Sequence, residues 1–248
     1  MPYWTNNFNM NLKYLWILSA PCSGSTLLHE LLSTSEKITP AVAKENHGLT
    51  REAQKLPELA DMMYTKDRYD PDKKIDWEKF KRVLSDRWDN TKPIKMDKAP
   101  AHLARSDKIE EKFNPSFFII LTRDPYALCH SHSVKGNHKL EWSAREMAKF
   151  FRFMHWSTNN LQRIIVISYE YLTENPYITK EYLSQWVSEL SDIDINETFT
   201  AHMYHKKITP MNKKHLDALS DDDIKRIKTT LKDVEKVEEE INYFEYKL

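Results

Sequence analysis

The sequence predicts an α/β fold in which a parallel β-sheet is flanked by helices and followed by a helical C-terminal segment. Three observations carry this. Apolar runs at residues 14–20, 117–121 and 164–167 show no alternation with polar residues, the pattern of strands buried on both faces of a parallel sheet. Between them, apolar residues recur at the three- and four-residue spacing of helices that cover such a sheet. Small, hydroxyl or charged residues follow the strands, at Ser23 to Thr26, Lys98 and Arg123, and ligands of parallel sheets sit at the carboxyl ends of strands.

The first strand breaks into Pro21-Cys22-Ser23-Gly24-Ser25-Thr26, after which Leu27, Leu28, Leu31 and Leu32 mark a helix face. Residues 41–48 form a polar connection, Thr50 caps a short helix that Pro57 ends, and a second piece spans 57–63. Asp76 caps a helix whose apolar face is Trp77, Phe80, Val83 and Leu84. Residues 93–98 alternate as a strand that turns at Ala99-Pro100 into a helix over 101–112. The strand at 117–121 hands over, through Thr122-Arg123-Asp124-Pro125, to a helix with Pro125 in its first turn. Ser143 and Glu146 read as a capping box, stapled by Trp142 and Met147, opening a long helix to about residue 159. After the strand at 164–167, helices fit 179–190 and, capped by Ser220, 221–239.

With 248 residues and 40% hydrophobic content, the chain has enough apolar surface for one core, so residues 1–248 are expected to form a single domain. The 37 basic and 37 acidic residues balance, which gives no global pull on nucleic acid, so any anion site is local. Cys22 and Cys129 are the only cysteines and make neither a disulfide framework nor a zinc pattern. No apolar run is long enough to span a bilayer and no cleavable leader pattern opens the chain. A reducing, cytoplasmic setting without nucleic-acid or membrane partners is the expectation.

A helix start directs unpaired N–H groups and the positive end of the helix dipole outward. Gly24 permits close backbone approach, and the hydroxyls of Ser23, Ser25 and Thr26 are suited to donating to phosphate or sulfate oxygens. An ordinary N-cap needs only one such residue. The Walker A pattern is missing, because no second Gly-Lys-Ser/Thr follows Gly24. The segment resembles instead the 5′-phosphosulfate loop of sulfotransferases that use 3′-phosphoadenosine 5′-phosphosulfate (PAPS), with Cys22 in place of the family's Arg or Lys. Arg123-Asp124-Pro125 followed by Ser131 resembles the same family's 3′-phosphate motif. A salt bridge from Arg123 to Asp124 or Glu170 is the purely structural alternative.

Three further stretches extend the resemblance. Asp97-Lys98-Ala99-Pro100 is similar to the family's Lys-Ser-Pro segment, Lys44-Glu45-Asn46-His47 to its acidic segment, and Ser168-Tyr169-Glu170-Tyr171-Leu172 to its Tyr-Glu-Asp-Leu stretch, with Tyr171 replacing Asp. Residues 219–243 look like the closing helix of compact bacterial members. The resemblance implies a P-loop-like fold and metal-independent in-line transfer of a sulfuryl group from PAPS to a hydroxyl or amine, leaving 3′-phosphoadenosine 5′-phosphate (PAP). It implies donor contacts from Cys22, Ser23, Gly24, Ser25, Thr26, Arg123 and Ser131, with Lys98 on the leaving oxygen. Glu45 is the implied base, with His47 as runner-up. The acceptor is a sugar, a tyrosine or a small alcohol. A P-loop-like kinase needs a loop lysine that the chain lacks, while a nucleotide-binding protein without turnover is what Cys22 favours. His130, His132 and His138 are expected as a surface cluster, not a metal site.

Overall fold

The computed structural model describes residues 12–41, 65–197, 199–201 and 204–248. Lys44, Glu45 and His47, and the helical pieces expected between Thr50 and Met63, lie outside the described residues. The first strand, β1 (Lys13–Ser19), continues through a tight loop into α1 (Ser25–Leu32) and the short β2 (Ile38–Pro40). Then come α2 (Trp77–Ser85), β3 (Ile94–Lys98), α3 (Pro100–Leu103), α4 (Ser106–Lys112) and β4 (Ser116–Thr122). The chain continues as α5 (Pro125–Gly136), α6 (Leu140–Asn160), β5 (Ile164–Ser168), α7 (Tyr169–Glu174) and α8 (Pro176–Trp186). A 3₁₀ turn (Ser188–Asp192), the hairpin β6 (Phe199–Ala201) and β7 (Tyr204–Lys206), α9 (Asn212–Leu216), α10 (Asp221–Lys232) and α11 (Val237–Tyr243) complete it.

The sheet runs β2-β3-β1-β4-β5 with every neighbouring pair parallel, so all five carboxyl ends share one edge. Because β1 is central, the loop after it lies between the ends of β3 and β4. Ile17 is in register with Lys98 on one side and Ile119 on the other. Both faces are apolar, which is why the runs do not alternate. Trp16, Leu18, Phe118 and Ile120 pack against Phe150, Phe151 and Met154 of α6, with Leu231 and Ile241 from the last helices. On the opposite face Leu15, Ile17, Ile119 and Ile167 pack against Leu28, Leu31 and Leu32 of α1 and Leu183 of α8.

The sheet, its flanking helices and the helical end agree with the fold read from sequence; several boundaries do not. The helix expected over 101–112 breaks at Arg105, whose buried guanidinium donates to the carbonyls of Asp67, Arg68, Asp70 and Ala101. Ser143 caps nothing: α6 has already begun at Leu140, and its hydroxyl meets His132 Nδ1 at 3.2 Å inside the fold. The segment expected as one helix over 179–190 starts at Pro176 and gives way at the extended Val187. Ser220 does close a capping box with Asp223, yet that helix ends at Lys232. A left-handed Lys236 (φ 66°) re-aims the chain, so Val237 and Ile241 are buried beside Ile227 and Leu231. Among the described residues, no helix is long and apolar enough to cross a membrane.

Candidate active site

The loop after β1 is shaped by two left-handed residues, Cys22 (φ 68°) and Gly24 (φ 88°). Ser23 ties the turn, its Oγ donating to the Ala20 carbonyl at 2.8 Å. That bond holds the loop's shape. Gly24 is the N-cap of α1, and no side chain caps the helix. The first-turn N–H groups, beside buried Ser25 and Thr26, therefore keep the anion-seeking character of an uncapped helix start.

Gly24 is also required by what covers it. A Cβ at this position would stand 2.4 Å from Cδ2 and 2.6 Å from Cε2 of Tyr169. Tyr169 is the first residue of α7, which Ser168 caps by accepting the Tyr171 N–H at 3.0 Å. Its hydroxyl accepts the Met211 N–H at 3.1 Å and donates to the Thr209 carbonyl at 3.4 Å. The Arg123 guanidinium also rests on this ring, 4.5 Å from its centroid.

Arg123 follows β4 and is only 4% exposed. Its Nη1 donates to the Cys22 carbonyl at 2.6 Å and its Nε to Asn212 Oδ1 at 2.8 Å, whereas Nη2 is buried with no hydrogen-bond partner among the described residues. The salt-bridge alternative does not hold. Glu170 Oε1 accepts the Asp124 N–H at 2.9 Å and the Asn212 amide, and Glu170 Oε2 accepts the Tyr246 hydroxyl at 2.7 Å. Asp124 caps α5 through the Ala127 N–H at 2.8 Å. Neither carboxylate pairs with Arg123 within the described residues, so burial opposes the guanidinium's charge without full compensation.

Ser131 on α5 lies near the Cys22 thiol, as do the positive charges of Lys135, one helical turn further, and Lys98, at the end of β3, and all three favour the thiolate. The Cys22 pKa is nevertheless raised, because burial outweighs the helper groups. The structure thus brings the loop, Lys98, Arg123 and Ser131 together at one sheet edge, with Lys135, Tyr169 and Asn212 as additions. Lys135 was legible as the position four after Ser131 on a helix; Asn212 had no sequence signal.

The three expected histidines separate. His132 is joined by His138 and stacks on Trp142 (ring planes 13° apart), with burial depressing its pKa to about 4. His130 faces His215 instead, Nδ1 to Nδ1 at 3.1 Å. No group of three or more potential metal ligands occurs among the described residues.

A sequence profile described as the Sulfotransferase family matches residues 15–189. The chain belongs to the sulfotransferase family. A search of curated proteins gives no match. Among solved structures, the sulfotransferase domain from the Synechococcus PCC 7002 olefin synthase is 17% identical, with TM-score 0.56 over 92% of this chain and 98% of that one. A sulfotransferase from Mycobacterium avium is 13% identical, with TM-score 0.54 over 96% and 78% of the two chains. A mouse sulfotransferase complexed with PAP is 12% identical, with TM-score 0.52 over 95% and 89%. At these identities the likeness is one of fold.

Proposed function

We propose that the protein moves a sulfuryl group from PAPS to a hydroxyl or amine acceptor, releasing PAP. The observation that carries this reading is Arg123: a guanidinium almost wholly buried at the end of a central strand, with Nη2 unpaired among the described residues, beside an uncapped helix start. Burying an unsatisfied cation is costly unless an anion completes it. Two phosphate-bearing ends of one nucleotide fit that need, the 3′-phosphate at Arg123 and Ser131 and the 5′ end at the loop.

In this reading the acceptor oxygen attacks sulfur as the bond from sulfur to the phosphate bridging oxygen breaks, and charge grows on that oxygen. The loop amides, Ser25, Thr26 and Lys98 stabilise it, with no metal needed. Lys135 adds charge near Cys22, where the family carries a basic residue. Glu45 takes the acceptor's proton, which is worth about 10²–10⁴-fold for a positioned base. The chain works as one cytoplasmic domain on a small-molecule donor, and the acceptor is a sugar, a tyrosine or a small alcohol. A second reading, nucleotide binding without turnover, is favoured by the neutral Cys22 alone.

Incubation with PAPS labelled at sulfur and a panel of these acceptors tests the proposal. Transfer of label, lost in Glu45→Gln with donor binding intact, is expected. Donor binding with no transfer to any acceptor class would establish the second reading.

A further inference from the structure

His130 and His215 sit on separate elements, α5 and α9, with Nδ1 atoms 3.1 Å apart and ring centroids 5.3 Å apart. Neither belongs to the loop, yet His215 lies near enough to Arg123 to feel its charge, and His130 meets His215. His130 precedes Ser131 in α5, and His215 is three residues after Asn212 in α9, on the helix face from which Asn212 bonds Arg123 Nε at 2.8 Å. We propose that His215, backed by His130, is a third element of the anion subsite at Arg123, neutral in the free protein and protonated when a nucleotide's 3′-phosphate binds there. This rests on the donor reading above.

The charges facing the pair decide its state. His215 feels Arg123 from the end of β4, Lys214 on its own helix and His130 on α5, while His130 feels one carboxylate, Asp223 at the start of α10. Burial and this positive surround bring the His215 pKa down to about 4. In a neutral pair, a single hydrogen joins the two Nδ1 atoms. A phosphate dianion beside Arg123 reverses the sign of the local field and favours imidazolium. The proton comes from solvent. The charged His215 then donates Nδ1–H to the neutral His130, which leaves its Nε2–H available to the anion, and the Arg123 Nη2–H has the same partner. A 5′-nucleotide without the 3′ group provides no such anion, so the device reads that group specifically.

Isothermal titration of the full chain with PAP at pH 6.5, in buffers of low and high ionisation enthalpy, measures the linked proton. Relative to His215→Asn, which cancels the protons exchanged by the ligand's own phosphates, the wild type is expected to take up about 0.7–0.9 proton more per PAP, with no such difference for adenosine 5′-phosphate. His215→Asn should also weaken PAP about 3–10-fold at pH 6.5, the loss that this uptake implies. His215 is half-buried on a short surface helix, and NMR titration of its imidazole in the wild type, free and with PAP, gives the same answer without substitution. The apparent pKa should move up on binding. PAP binding with the same proton balance in the wild type and in His215→Asn would overturn the His215 role alone; failure of the wild type to bind PAP would overturn it together with the donor reading.

Discussion

Gly24→Ala should damage both stability and ligand binding, because the methyl has nowhere to go. Two costs are separable. The residue has φ 88°, a left-handed conformation that costs a residue with a Cβ about 1–2 kcal/mol. The new Cβ would also stand 2.4 Å from Tyr169 Cδ2, and overpacking of this kind costs about 1–3 kcal/mol. The ring has little freedom to yield, since Met211 and Thr209 hold its hydroxyl and Arg123 lies on its face. The sum is about 2–5 kcal/mol, and at about 2–4 °C per kcal/mol for a chain of this size the midpoint should fall roughly 4–20 °C. Thermal melts followed by circular dichroism, together with PAP titration, measure the two effects. Repeating the change in a Tyr169→Ala background isolates the clash, because only the backbone cost should survive there, leaving a coupling of about 1–3 kcal/mol. An equal penalty in both backgrounds would refute the claim that Gly24 makes room for this ring.

Three other outcomes follow from the same contacts. Arg123→Ala should weaken PAP by about 1.5–3 kcal/mol and adenosine 5′-phosphate far less; equal losses would mean that Arg123 serves only the loop, through the Cys22 carbonyl. Alkylation of Cys22 should be slow at neutral pH, accelerate only above the ordinary thiol range because burial raises its pKa, and be blocked by PAP; rapid reaction at pH 7 would contradict the site's burial. His132 has its pKa lowered to about 4, so below its ordinary value of about 6.5 the unfolded chain binds the proton and the folded one does not. His132 should make stability fall as pH drops from about 6.5 to 4, by about 1–3 kcal/mol after allowing for partial exposure, and His132→Gln should remove that share of the limb in urea denaturation, leaving the share of His215.

What the sequence revealed is what local chemistry decides. Runs buried on both faces announce themselves by lacking polar positions, and Asp76, Asp124 and Ser220 cap helix starts because their partners are three residues away. The loop was legible for the same reason, with Gly24 and its hydroxyl neighbours adjacent in the chain. Long-range partners were not legible. Ser143 has every local feature of a cap, and its hydroxyl is claimed by His132 on another helix. Arg105 ends a helix because carbonyls of residues 67–70 surround it. Asn212 reaches Arg123 across 89 positions, and it separates Arg123 from the carboxylate that local reading offered as a partner.

The most direct test of the account is calorimetric titration of the protein with PAP and with ATP, each with a chelator and with magnesium. The loop, Arg123 and Ser131 bring donors and cations to both phosphate-bearing ends of the nucleotide, so PAP should bind equally well with chelator present and far more tightly than ATP. Tight binding of ATP that requires magnesium, with none of PAP, would contradict the sulfuryl-donor reading and assign the site to phosphoryl chemistry.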